Sequence, residues 1–574
     1  MNKKVKIGSG GTFTITDKYY KAAGGEASIY VNGGQVFKIY HDSHKTLPAK
    51  KIQELSVIHN QNVVIPKDLI FDAATGDPLG YTANYLDDVE PLLKLFTKTF
   101  KQDNKIDPKM IVELVKQMQL ITSDIHAAQC LIVDFNELNV LVNVDKTKLK
   151  PFFIDVDSYA TPSYRATAIM DSVRDRRVSK IVNGNLVYNP DVLSDWFSFA
   201  VLAFWLYTNI HPYRGAHPNY KPKDRIKQMD DNVSVFHSGV KLPPTTNDFS
   251  VIPPRHRGWL EAVFSKNERS IPPLADGIAP TVVPAPIVTI KGNNQVDVTQ
   301  TASYGENIVA VIQAMGLNYV VTDKKIYRDT QELFSGCEKY KKVLLCPASD
   351  GTIVVATLLH NIVTFTDLIR QQVVGTINSS GMIFRNNCIY TVSNGKFVEN
   401  KFTSFGNRII HRVNEIENVS VFTTTIWDGC AIQNLLGKYY LVLPYAVGAC
   451  FSKYLPQLDG YRIVAAKSER NVAVIIAEKK GKFDRFIVVF TKKDYTTFDV
   501  RKVEDVAYEA INFTTLENGL TLLLASPDEL ELFANNTNVN VITQPPFDAD
   551  MPLFNTSDGA HFINGNSIHR IKKK

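Results

Sequence analysis

"CLIVDFNELNVLVNVDKTKLKPFFIDVDSY", Cys130 to Tyr159, sets Asp134 and Asn139 ahead of one apolar run and Asp155 and Asp157 behind the next. Four residues separate Asp134 from Asn139, and Asp155 follows Asn139 by sixteen. The apolar runs "NVLVNV" and "PFFI" read as short strands, and those strands bring the two polar clusters to one place. Phosphoryl transfer needs phosphate charge neutralised by metal and lysine, a positioned nucleophile and exclusion of water. Asn139 and Asp155 are the types that face one magnesium ion. An aspartate alone is common on any protein surface; it is the spacing of the four residues that points to phosphate chemistry.

The remaining parts of such a site lie upstream. "EASIYVNGGQVFKIYHD" reads as two strands joined at Asn32-Gly33-Gly34. Lys38 sits on the second strand. Glu54 lies sixteen residues later on "AKKIQELSVIHN", where Ile52, Leu55 and Ile58 have helical spacing. A lysine on the buried side of a strand needs a partner, and Glu54 is the expected one; the bland alternative is two surface charges. In "AAGGEASIY", Gly24 and Gly25 permit close approach of backbone N–H groups to phosphates, although a plain turn has the same composition. Downstream, "PKMIVELVKQMQLITSDIHAAQ" and "RHRGWLEAVFSKNERS" read as amphipathic helices, and "LSDWFSFAVLAFWLYTN" as a helix buried all round.

Taken in order, these parts resemble the eukaryotic-like protein kinase fold over about Lys18 to Pro273. The resemblance implies an α+β bilobal domain over residues 1–276, with an N-lobe of about 1–86 and a C-lobe of about 87–276. It makes "AAGGEASIY" the glycine-rich loop, with Gly24, Gly25 and Ala27 near ATP. Lys38 becomes the ATP lysine with Glu54 as its ion-pair partner, and Asn84 and Leu86 in "NYLDD" the adenine hinge. Asp134 becomes the catalytic base, Asn139 and Asp155 the metal ligands, and Asp157 a further metal candidate. "NPD" ends the activation segment, Asp195 is a structural aspartate of the buried helix, and Arg269 pairs with Asp191.

Several positions depart from that pattern. Ala22 and Ala27 replace the first and third glycines of the loop. Ile132 and Val133 replace the His-Arg before Asp134, so switching by activation-loop phosphorylation is not expected. Asn136 replaces the lysine that touches the transferred phosphate, and Val156-Asp157 replaces Phe-Gly. The D-x-D-S triplet, with "DFNELNVLV" and "DWFSFAVLAFWL", is similar to a divergent bacterial and phage group of kinase-like proteins. Within the expected activation segment, Ser158 to Asn189, "SVRDRRVSKIVNGN" is basic and reads as a landing site for an acidic partner or as solvated loop.

"SIPPLADGIAPTVVPAPIVTI", Ser270 to Ile290, has five prolines and marks a linker at 277–292. Beyond it, over 293–574, a turn residue followed by β-formers recurs at Gly316, Gly351, Asn387, Gly437, Asn471, Gly519 and Gly559, spaced 35, 36, 50, 34, 48 and 40 residues. A period near 40 with about four strands per unit predicts an all-β domain, a propeller of roughly seven blades; a pair of β-sandwiches would need no fixed period.

Composition sets the frame. With 44% hydrophobic and 21% charged residues, the 574-residue chain reads as a multidomain globular protein. Its net charge of +6 is scattered and forms no nucleic-acid stripe. Six cysteines without CxxC pairing predict free, mostly buried thiols rather than zinc. The stretch Trp196 to Tyr207 is too short to span a bilayer, and the start carries no apolar signal region, so a cytoplasmic protein with no membrane partner is expected. The leading expectation is an ATP- and Mg2+-dependent Ser/Thr-type protein kinase whose C-terminal β domain binds a protein substrate or regulator. The alternatives are a pseudokinase scaffold that binds nucleotide and partners without phosphotransfer, and a small-molecule kinase.

Overall fold

The first residues, "NKKVKI" and "TFTIT", alternate charged or polar with apolar side chains, so each buries one face and pairs as a strand. In a computed structural model, which describes residues 2–24, 26–166, 169–182, 185–221, 224–274, 295–314, 317–328, 330–405, 408–420, 422–492, 495–506 and 510–574, the chain is mostly β with few helices. It divides into two compact units, one holding Met1–Val288 and the other holding Thr289–Lys479 and Phe483–Lys574. The expected linker, 277–292, lies outside the described residues, as do Gly25 and the repeat position Gly316.

In the first unit, β1 (Asn2–Ile7), β2 (Thr12–Thr16), β3 (Tyr20–Ala23), β4 (Ala27–Asn32) and β5 (Gln35–Tyr40) precede the short helix α1 (Ala49–Leu55). β6 (Leu69–Asp72) and β7 (Pro78–Asn84) follow. They form one sheet in the order β2-β1-β6-β7-β5-β4-β3. The β4–β5 hairpin turns at Gly33 and Gly34, with φ of +56° and +76°, the left-handed conformations that glycine adopts without strain. β1 and β2 were not anticipated from the sequence.

Next come β8 (Val89–Pro91), α2 (Lys98–Asp103) and the long α3 (Pro108–Ala127), capped by Asp107, whose side chain accepts from Met110 N. The hairpin of β9 (Val140–Val144) and β10 (Leu149–Phe153) pairs Val140 with Phe153. β11 (Ser179–Val182) and β12 (Asn185–Tyr188) form a second hairpin. α4 (Val192–Thr208) is buried along nearly its whole length, as its composition requires, and α5 (Arg225–Asp230) and α6 (Pro254–Ser265) complete the unit. Helix α1 stops at Leu55, so Ile58, expected on its face, lies beyond the helix and is buried there.

Among its described residues the second unit holds seven four-stranded antiparallel sheets. Six are continuous in sequence: 308–335, 342–378, 382–418, 424–454, 462–506 and 513–543. The seventh joins Val296–Ser303, from the start of the unit, to Ser567–Lys573, Gly559–Asn564 and Leu553–Thr556. Gly351, Asn387, Asn471 and Gly519 each precede the second strand of their sheets, and Gly559 opens the middle one of the three C-terminal strands of the seventh sheet. Gly437 precedes the third strand of its sheet, and the equivalent position is Cys430, before Ala431–Leu435. That shift changes the uneven spacings of 50 and 34 to 43 and 41 residues. The turn at Leu436-Gly437, both at positive φ, carries the same turn-then-strand texture and drew the reading one strand too far.

The free cysteines are buried, apart from the half-buried Cys450. No helix among the described residues is long and apolar enough to cross a membrane.

Candidate functional site

The β9–β10 hairpin does what the opening stretch predicted: the carbonyl of Asn139 accepts from Ile154 N at 2.9 Å, one residue before Asp155. Asp134 and Asn139 are tied directly, Asn139 Nδ2 donating to the Asp134 carboxylate at 3.2 Å and to its carbonyl at 3.0 Å. Met170 N donates to the other Asp134 oxygen at 2.8 Å. Burial raises the Asp134 carboxyl above its ordinary range; the nearby charge of Asp155 adds to this, against the hydrogen bonds that Asp134 accepts.

Lys38 reaches this group across the unit. Its ammonium donates to Asp155 at 2.6 Å and to both oxygens of Asp157 at 2.9 and 2.8 Å. Asp157 also accepts from Tyr40 OH at 2.5 Å and Tyr81 OH at 2.6 Å. Burial alone would push Asp157 up, but Lys38 and the two hydroxyls outweigh it and hold the carboxyl at about 2. Burial would likewise lower Lys38, and Asp155 with Asp157 raises it well above the usual lysine value. Desolvation in the cleft pushes Asp155 up against the pull of Lys38, although its side chain is partly open to solvent.

Two sequence expectations are corrected by these contacts. Glu54 does not pair with Lys38. It accepts from Thr161 Oγ1 at 2.5 Å and from Ser163 N at 3.2 Å, with Lys50 at 3.8 Å. The reason lies on the same helix: Lys51, only 4% exposed, presents its own ammonium to the Asp157 carbonyl at 2.6 Å. Glu54, three positions on, is left beside the segment that follows the triplet. Asp157, for its part, does not fit as a metal ligand, because both its oxygens are occupied by Lys38 and the tyrosines. Asp155 fits better, its side chain being 39% exposed and bound by Lys38 at one oxygen. Among the described residues no group of three or more His, Cys, Asp or Glu side chains is placed to hold a metal ion.

The loop carrying Asp134 is anchored from below. Asp195, fully buried on α4, accepts from Ile132 N and Val133 N, both at 2.8 Å, and lies 2.9 Å from His126 Nε2. Val133 has φ of +62°, a costly conformation for a β-branched residue, and these bonds hold it there. Asn136 is buried and turned into the loop: its Oδ1 accepts from Leu138 N and Asn139 N and its Nδ2 donates to the Asp134 carbonyl.

Arg269 does not pair with Asp191. Its guanidinium grips Asp175 at 3.0 and 2.9 Å, with Asp175 entirely buried. Asp191 instead caps α4 through Ser194 and binds Arg177. The buried guanidinium takes the buried carboxylate, while the half-exposed Asp191 is committed to the helix end. In the basic segment Arg174 pairs with Asp171, just before it, and Arg176 with Asp230 on α5; Asn183 and Gly184 of that segment lie outside the described residues. Asn84 is exposed, accepting from Lys67 Nζ, and Leu86 is half-buried. Gly24 N donates to the Ala27 carbonyl at 2.9 Å, and Ala27 is buried near Tyr40 and Tyr81.

Tyr40, Tyr81, Lys51 and His126 were missed from sequence. Two had a signal. Tyr40 shares the strand face of Lys38 two residues on, and Tyr81 is the residue paired with Lys38 across β7. No family model matches the chain, and no curated protein matches it.

Proposed function

We propose that the first unit is an ATP- and magnesium-dependent protein kinase of Ser/Thr type, related to the divergent bacterial and phage kinase-like group, and that it acts in the cytoplasm. The observation that carries this reading is Lys38 joined to the Asp155–Asp157 triplet across more than a hundred residues of chain, beside the hydrogen-bonded pair Asp134 and Asn139. Lys38 neutralises the α- and β-phosphates of ATP, with the backbone of 84–86 as the adenine hinge. Magnesium, held by Asn139 and Asp155, would supply further charge neutralisation on the phosphates. Asp134, its carboxyl raised by burial, accepts the proton of the substrate hydroxyl as that oxygen bonds to the γ-phosphorus and the bond to ADP breaks. The second unit is a seven-bladed propeller that recruits a protein substrate or regulator; the pairing of Val296–Ser303 with Ser567–Lys573 supports a ring closed between its two ends.

A second reading, a nucleotide-binding scaffold without phosphotransfer, is favoured by Glu54 lying with Thr161 and Ser163 and by Asn136 bracing its own loop. Labelled ATP with generic protein substrates separates the two. Phosphate incorporation by the wild type and its loss in Asp134→Asn supports the kinase. Equal, background incorporation by both, with Mg–ATP still raising their melting temperatures, leaves the scaffold. Absence of any Mg–ATP shift rejects both readings.

A further inference from the structure

We propose that Asp157 is the positioning residue for Lys38, in the place expected of Glu54, with Tyr40 and Tyr81 fixing its carboxylate and Lys51 its backbone. The inference rests on the reading of Lys38 as the phosphate-binding lysine. It concerns what orients that lysine.

The geometry divides the two aspartates of the triplet by task. Asp157 is 9% exposed, and each of its oxygens accepts one bond from Lys38 and one from a tyrosine hydroxyl. A carboxylate so filled is a fixed anchor. Asp155 is far more open and takes Lys38 at one oxygen. Lys38 can therefore exchange Asp155 for a phosphate oxygen while Asp157 still grips it. The anchor is tied to three elements: Tyr40 on β5, Tyr81 on β7 and Lys51 on α1, whose ammonium meets the Asp157 carbonyl. Glu54 would have to leave Thr161 and Ser163 and displace a lysine already chelated. In this arrangement the aim of Lys38 is set by the strands and the triplet loop, and displacement of α1 is not needed to complete the site.

Mg–ATP and adenosine affinities, measured by calorimetry on the full chain, test this. Adenosine lacks the phosphates, so a loss of aim at Lys38 weakens ATP alone, whereas general damage to the cleft weakens both. Asp157→Asn and Tyr81→Phe are expected to weaken Mg–ATP about tenfold and about threefold, with adenosine within twofold of wild type. Glu54→Gln is expected to leave both ligands within twofold. A tenfold loss of Mg–ATP in Glu54→Gln, or parallel loss of both ligands in Asp157→Asn, overturns the inference while the nucleotide reading stands. If the wild type binds neither ligand, the nucleotide reading fails, and thermal unfolding decides the anchor by itself. Melting shifts of Lys38→Met and Asp157→Asn that fall well short of additive in the double variant support the pairing. Additive shifts overturn it.

Discussion

Replacing Asp195 by alanine should loosen the loop that carries Asp134 without touching the loop itself. The carboxylate accepts two backbone N–H groups, Ile132 and Val133, in a fully buried setting. A buried donor stripped of its acceptor costs about 1–3 kcal/mol, so two give a loss of about 4 kcal/mol. Part returns, because Val133, at φ +62°, can relax once released, by about 1 kcal/mol. The net loss of about 3 kcal/mol corresponds to a fall of about 6–12 °C in the melting temperature of the first unit. Tryptophan fluorescence reads that unit selectively: Trp196, Trp205 and Trp259 lie in it and only Trp427 lies in the other. Trp196 packs edge-on against His126, which itself touches Asp195. Asp195→Asn, which keeps one carbonyl acceptor, should lose about half as much. A melting temperature for Asp195→Ala within about 2 °C of wild type would refute the view that this carboxylate bears the loop.

The Arg269–Asp175 pair is almost wholly buried, so Arg269→Ala should cost about 3–5 kcal/mol; urea unfolding checks it, and joint replacement of both residues by apolar side chains should recover part of the loss. A β-carbon on Gly80 would lie 1.8 Å from the Lys38 carbonyl, so Gly80→Ala should force β5 and β7 apart and cost about 3 kcal/mol, visible as lost soluble yield and an early melting transition. Burial would raise the Glu399 carboxyl, but Lys401, Gly448 N and Asn414 hold it below its ordinary value of 4.5. A carboxyl lowered on folding stabilises fully above that value, and the benefit drains away as pH falls through the folded-state value. Urea midpoints followed by circular dichroism should therefore drop below about pH 4.5 in the wild type and drop less steeply in Glu399→Gln.

Local pattern revealed the elements whose signal is local. The Asn32-Gly33-Gly34 hairpin, the apolar α4 and the strands of the second unit each declare themselves within about ten residues, by turn chemistry or hydrophobic period. The convergence of Asp134, Asn139 and Asp155 was equally legible, since a single hairpin joins them. What escaped was pairing over long separations. Lys38 had Glu54, on the following helix, as its expected partner, yet the carboxylates that reach it lie 117 and 119 residues away, a separation that spacing does not reveal. Arg269 was likewise matched to Asp191, whereas the buried Asp175 takes it, a choice set by burial, which the sequence does not state. The register of the sheet at 424–454 was misread because two consecutive turns share one texture.

The seventh sheet of the second unit also sets a timetable. Thr301 and Ile568, joined by a hydrogen bond across it, are 267 residues apart. At about 5–20 residues per second on the ribosome, Val296–Ser303 waits roughly 13–53 s for its partner strand. A strand left with an open edge for that long invites pairing with other nascent chains. Its sequence, "VDVTQTAS", answers that hazard with Asp297 and a run of hydroxyl and amide side chains, most of them facing solvent even in the finished sheet.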